Sequence, residues 1–395
     1  MGTFLPGPRP VMTCHPDHVR SLFTAPPEEV VTIAGESQLR PIVGPNAILT
    51  AVGNRHLHQR KLLLPHFHGE AISRYMEVAE TATRRELDRW PLGRPFPLAP
   101  RMRAITLDTI MFAIFGAEGS VAQRIRTAIN ALVTVADFPL AQIAGLVNLY
   151  RKESRGLLQM GLDLVDRPIY SLIEQRRSDR RLEERHDVLS MLLRARTTEA
   201  KAMSDKEIRD ELLSLALAGY ETTATSLAWT WERLLRNPQK HKELRDAVRT
   251  GEGDDLIQAT ITEALRSRPV LPIVSRRVKT PWRLGSFGIP PETPVSISLY
   301  LLHHREDLYP QPFEFRPERW LDRRPGTYEW IPFGGGTRRC LGSSLAMAQQ
   351  HAVMRSMLQS LDLEVDDPSP ERAVRRYMTM IPSAGARTVI RRRHV

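Results

Sequence analysis

One of the two cysteines in this 395-residue chain stands where a sulfur could react or hold a metal. Cys340 follows Phe333-Gly334-Gly335-Gly336-Thr337-Arg338-Arg339 and precedes Leu341-Gly342. Three consecutive glycines point to backbone access rather than packing. A helix is expected just after the cysteine, and its N-terminal dipole, with two adjacent arginines, favours a thiolate over a thiol. Such a sulfur is a nucleophile or a metal ligand, whereas Cys14 reads as a buried, inert side chain. Glu221 is the second candidate, the single charge in the apolar stretch 212–231, with Thr222 beside it. A carboxyl in such surroundings has a perturbed pKa and suits proton transfer. Glu263 and Arg266, three apart, share a helical face and can pair as acid and base; the basic His56 and Arg60, four apart, also share a face. His66, His68 and Glu70 line one face only in a strand. Their surroundings read as helix, so they are set aside as metal ligands.

These residues need elements to hold them. Ser204 and Glu207 form a capping box that opens a helix running to Asn237-Pro238. At 1.5 Å per residue it is a rod of about 45 Å. It lacks a polar face over most of its length, so it is expected to be buried. Glu221 and six Ser or Thr residues argue against a membrane span over 212–231. Helical periodicity also covers 16–23, 53–64, 70–89, 102–115, 120–136, 153–177, 254–268 and the segment from just after Cys340 to 361. Residues 3–5, 11–13 and 295–299 read as strands, and 377–381 with 387–391 as a terminal hairpin. Residues 178–187 read as an exposed connection and 303–339 as a long functional loop. No repeat or Gly/Ser linker divides the chain. The expected class is mainly α with small β-sheets (α+β), as one domain over 1–395.

Hydrophobic residues at 42% and charged ones at 26% are ordinary globular usage and exclude a disordered or collagen-like chain. The net charge of +11 raises nucleic acid, a membrane surface or an acidic protein as partner. Nucleic-acid binding would need a basic stripe with interleaved aromatics or a recognisable motif, and the chain has neither. Residues 371–395 carry seven arginines against one acid and read as a solvated basic tail. Two cysteines exclude a disulfide scaffold and point to a reducing, cytoplasmic compartment. Residues 1–10 carry no signal-peptide pattern.

The segment FGGGTRRCLG, residues 333–342, resembles the haem-binding loop of the cytochrome P-450 family at each diagnostic position. That resemblance implies a fold with a long central helix over haem b (iron protoporphyrin IX). It makes Cys340 the axial thiolate ligand of the haem iron, donating electron density that favours O–O cleavage. Phe333 would pack near the sulfur, Gly334 would belong to the same cradle, Arg338 would pair with a propionate and Gly342 would let the next helix approach. Glu263-Ala264-Leu265-Arg266 resembles the family's ExxR, and Pro317-Glu318-Arg319-Trp320 its PERF-type loop. Arg319 would join Glu263 and Arg266 in a folding network without a catalytic role. Arg276, His56 and Arg60 stand where family members contact the propionates. Ala218-Gly219-Tyr220-Glu221-Thr222-Thr223 is similar to the oxygen-binding motif. Ala218 and Gly219 would leave room for dioxygen and permit a bulge, while Glu221 and Thr222 would deliver protons.

The implied reaction consumes O2 and two electrons, puts one oxygen atom into a hydrophobic small molecule and releases water. No flavin or iron–sulfur signature is visible. A separate acidic ferredoxin or flavodoxin with its reductase would therefore dock near Cys340, steered by Arg339. Substrate contacts are expected from 34–47, 215–218, 270–273 and 378–380. The enzyme alternative is a haem-thiolate peroxygenase, isomerase or dehydratase; charge alone supports a basic, helical nucleic-acid-binding protein. A monomer without a transmembrane segment is expected. Family members usually begin with a longer lead, so the resemblance also implies an N-terminally shortened chain whose haem core persists with reduced stability.

Overall fold

The computed structural model describes residues 9–37, 39–116, 119–135 and 154–394. Along the chain run β1 (Val11–Thr13), α1 (Pro16–Thr24), β2 (Val30–Thr32), α2 (Arg40–Val43), α3 (Gly53–Leu63) and α4 (Glu70–Leu87). Then come β3 (Phe96–Pro97), α5 (Ala99–Ile110), a π-helical turn (Met111–Phe115), α6 (Gly119–Val135), α7 (Leu157–Arg177) and α8 (Val188–Arg194). The second half has α9 (Asp205–Leu235), α10 (Pro238–Thr250), α11 (Asp254–Ser267), β4 (Ile273–Val278), β5 (Trp282–Leu284) and β6 (Phe287–Ile289). It ends with β7 (Pro294–Ser298), α12 (Leu299–His303), α13 (Ser343–Ser360), β8 (Leu361–Val365), β9 (Ala373–Arg376), β10 (Thr379–Pro382) and β11 (Arg387–Arg393). The mainly helical class with small sheets is as expected. The strand expected over 3–5 lies outside the described residues. Within the expected loop 303–339, Pro317–Trp320 and Gly336–Arg338 form single 3-10 turns.

Helix α9 is 31 residues long. Its capping box forms: Ser204 N donates to Glu207 Oε2 at 2.9 Å, and Glu207 N to Ser204 Oγ at 3.3 Å. Asn237 Nδ2 donates to Arg233 O at 2.8 Å, and Pro238 then starts α10. Among the described residues, no helix is long and apolar enough to cross a membrane.

The chain divides into two compact units. The first comprises 1–33, 79–105 and 222–395. Its main sheet has the order β1-β7-β4-β2, with β1 parallel to β7 and the other pairs antiparallel. Leu227, Trp231 and Leu234 of α9 pack with Ile257 and Ile261 of α11 and Val353 and Met357 of α13 in one core. Val19 and Phe23 of α1 join Val295 and Ile297 of β7 in another.

The expected terminal hairpin does not form. Strand β10 turns back onto β9, while β11 pairs with β8 and β3. The Glu371 carboxylate is the physical reason: it accepts from Ala384 N at 2.7 Å and Arg387 N at 2.9 Å, clasping the turn and redirecting the chain. The arginine-rich end is held in strands rather than forming a loose tail, although most of its arginines are exposed as expected. Arg387 pairs with Asp366 and Arg391 with Glu364, both at 2.7 Å. Arg393 donates to Leu87 O and Trp90 O.

The second unit comprises 34–78 and 106–221. Helix α6 packs on α7. Asp187 caps α8 through Ser190 N at 3.0 Å and pairs with the buried Arg176 at 2.6 Å, so the expected exposed connection ends in a buried anchor. On α9, Glu211 is fully buried; its Oε2 accepts from Ile48 N at 2.7 Å, and its Oε1 has no partner among the described residues. Burial pushes its pKa up to about 8. A carboxyl raised in the folded state contributes stability below its ordinary value near 4.5 and loses it as pH rises toward 8. Asp210 and Asp166, also raised by burial, add the same sign. Glu211→Gln is neutral and isosteric. Melting temperatures across that range should therefore fall less steeply for the variant than for the parent; parallel profiles would contradict the assignment.

Candidate active site

Cys340 lies on a loop wrapped around one phenylalanine. Gly334 N donates to Ile331 O and Cys340 N to Phe333 O, each at 2.9 Å. These bonds close a lobe that leaves Cys340 exposed and outside any disulfide. Phe333, half-buried, stands edge-on to Trp330 at 6.0 Å. Gly334 has open space around it but a φ of +65°, which favours glycine. Gly335 is extended, and a Cβ there would collide with the ring of Phe23. At Gly336 a Cβ would lie 2.6 Å from Phe23 O. Two of the three glycines therefore do pack, which corrects the expectation of pure backbone access.

The Phe23 ring also lies under Arg276, whose guanidinium carbon is 5.3 Å from its centroid. The Arg276 side chain donates to Ser275 O at 3.0 Å and Gly335 O at 3.4 Å. It has no carboxylate partner among the described residues, and burial lowers its pKa. Arg338, half-buried, closes the 3-10 turn before the cysteine. Gly342 is the N-cap of α13, and its carbonyl accepts from Ala346 N at 2.8 Å.

Helix α9 is buried at every position from 208 to 232 except Leu217, Ala218, Gly219, Glu221 and Thr222, which are half-buried. The one opening in the helix therefore coincides with the acid–alcohol motif. The bulge its small residues would permit is absent, because α9 runs as unbroken α-helix through 218–223. Gly219 instead has a packing role, since a Cβ there would lie 2.5 Å from Ile110 Cδ1. On α3, His56 is buried and Arg60, one turn later, is half-buried.

The family model described as Cytochrome P450 matches residues 1–387. The chain belongs to the cytochrome P450 family. It is 37% identical over 390 residues to "Putative cytochrome P450 138" of Mycobacterium bovis, covering 98% of this chain and 87% of that protein. To "Putative cytochrome P450 137" of Mycobacterium tuberculosis it is 35% identical over 381 residues, covering 94% and 78%. The fold is shared with a crystal structure of a cytochrome P450 (CYP102L1), at a TM-score of 0.81 and 20% identity over 99% of this chain and 94% of that one. Retinoic acid bound cyanobacterial CYP120A1 aligns at a TM-score of 0.78 and 22% identity over 96% and 88%. As a cytochrome P450, the protein is a haem-thiolate monooxygenase that uses O2, an organic substrate and a redox partner.

The residues present fit the haem of a cytochrome P450. An exposed thiol suits the iron, and the half-buried Arg276 of β4, which reaches Gly335 O of the cysteine loop and has no carboxylate partner among the described residues, suits a carboxylate. His66, His68 and Glu70 form no metal cluster among the described residues. Behind the loop, Glu263 and Arg266 show no exposure and meet in two bonds of 2.8 and 2.9 Å. Glu263 also accepts from Arg316 N (2.9 Å), Arg319 Nε (3.2 Å) and Trp320 Nε1 (2.9 Å), so the three expected residues converge.

Two positioning residues of this cytochrome P450 escaped the sequence reading. Arg266 donates to His303 O at 2.8 Å, and His303 Nε2 accepts from Ile331 N at 2.9 Å. Burial pushes His303 down to about 3, so it is neutral and its proton sits on Nδ1. A run of bonds thus leads from Glu263 through His303 and Ile331 to Gly334. Phe23, the other, carries the only available signal: an aromatic on the apolar face of a short helix, which reads as ordinary core. The segments 270–273 and 378–380 also meet, with Met380 N donating to Val270 O at 2.8 Å.

Proposed function

We propose that this cytochrome P450 holds haem b through the Cys340 thiolate and inserts one atom of dioxygen into a hydrophobic small molecule. The chain acts as a single catalytic domain, monomeric and cytoplasmic. Bound haem supplies the redox centre at which O2 is cleaved. Arg276, Arg338, His56 and Arg60 hold its carboxylates through charge-assisted hydrogen bonds. Phe333 and Gly334 shape the pocket around the sulfur, and Gly342 starts the helix behind it. Thr222 donates a proton toward the oxygen site and Glu221 replenishes it, while Ala218 and Gly219 keep that wall low. The apolar segments 34–47, 215–218, 270–273 and 378–380 contact substrate. Electrons come from an acidic ferredoxin or flavodoxin, attracted by the exposed Arg339.

The observation that carries this reading is the exposed Cys340 on a loop touched at Gly335 O by Arg276 of β4, which has no counter-ion among the described residues. Reconstitution with a ferredoxin and its reductase tests the reaction. Product formation should require both the electron donor and O2. Equal turnover with peroxide alone, unaltered by Thr222→Ala, would favour a peroxygenase instead.

A further inference from the structure

We propose that a cleft in the second unit binds a small amphipathic carboxylate, at a site containing none of the residues assigned to haem or substrate. The cleft has a volume of about 720 Å³, enough for a small organic ligand. One wall is apolar. Phe112, 40% exposed, stands edge-on to the Tyr75 ring at 6.3 Å, with Leu172 also on the cleft surface. Phe112 belongs to the π-helical turn Met111–Phe115, a feature common at functional sites.

The rest of the lining is largely charged. Four arginines line the cleft, and two are committed: Arg176 to Asp187 and Arg185 to Asp179, each at 2.6 Å. The side chains of Arg74 and Arg181 have no carboxylate partner among the described residues. A guanidinium recognises a carboxylate through paired, charge-assisted bonds.

An independent observation is the Tyr75 hydroxyl. Tyr75 is 3% exposed, and its Oη has no hydrogen-bond partner among the described residues. Burial pushes its pKa up, Arg74 pulls it down and Asp187 pushes it up, so the phenol end senses two residues of the cleft wall. Leaving such a group unpaired carries its desolvation cost uncompensated. A ligand oxygen reaching it would recover that cost. Two arginines without carboxylate partners, an apolar patch and an unpaired hydroxyl in one lining together describe an anionic head on an apolar body.

Calorimetric titration of the haem-loaded protein with 4-phenylbutyrate tests this, with its uncharged amide and inorganic phosphate as comparisons. Saturable binding of the carboxylate is expected, with the amide and phosphate each weaker by about tenfold or more. Joint replacement of Arg74→Ala and Arg181→Ala should weaken it by about tenfold or more. Tyr75→Phe should leave the ligand-free melting temperature unchanged or raised, because it deletes an unpaired hydroxyl, yet weaken binding by about fivefold. The Soret band, recorded in the same titration, should not shift. The proposal fails if the amide or phosphate binds as tightly as the carboxylate. It also fails if the variants bind like the parent, if binding tracks a Soret shift, or if none saturates.

Discussion

Glu263→Gln is expected to cost about 3–5 kcal/mol of folding stability, because it leaves the Arg266 guanidinium buried without its countercharge. Neither side chain is exposed, so water cannot replace the lost carboxylate. Glu263 accepts bonds from α11 itself, from the backbone of Arg316 and from Arg319 and Trp320 of the following turn. Neutralising it weakens all of them together. The damage should also travel: Arg266 holds His303 O, and His303 holds Ile331 N at the base of the cysteine loop. Denaturant unfolding should show the loss, accompanied by weaker haem retention. A change below about 1 kcal/mol would mean that the network is not what holds this region, since surface ion pairs commonly contribute that little.

Thr222→Ala is expected to separate oxygen consumption from product formation, lowering product per O2 by about tenfold or more, in line with the worth of a positioned proton donor. Its stability should barely change, because the residue is half-buried in a helix that alanine favours. Thr222→Ser, which keeps the hydroxyl, should recover most of the coupling. Simultaneous oxygen-electrode and product measurements distinguish the cases. Unchanged coupling in Thr222→Ala would assign proton delivery elsewhere.

Local patterns carried much of this protein's organisation. The capping box at Ser204 and Glu207, the all-round apolar character of α9 and the proline stops are short-range signals, and they place those elements to within a few residues. Pairings between distant segments are another matter. Nothing in the spacing of 377–391 shows that Glu371 will clasp the turn and send β10 to β9. The carbonyl and carboxylate partners of the terminal arginines are equally invisible in the local pattern. At the candidate site, residue types suggested chemistry, while the packing partners stayed hidden. Gly335 and Gly336 are small because Phe23, more than three hundred positions away, occupies their side-chain space. Gly219 is small because of Ile110. Function and packing thus select the same residues, and the motif alone does not separate the two.

Everything proposed for the site depends on ligation of haem iron by the Cys340 sulfur. Its most direct test is the absorption spectrum of the haem-loaded protein, reduced and treated with carbon monoxide, beside that of Cys340→Ala. Cys340 is exposed, so removing its sulfur opens no cavity in the core and the variant should stay folded. The parent should display the strongly red-shifted Soret band of thiolate ligation, and Cys340→Ala should lack it. A folded, haem-loaded parent without that band, or a Cys340→Ala variant that retains it, would contradict the account.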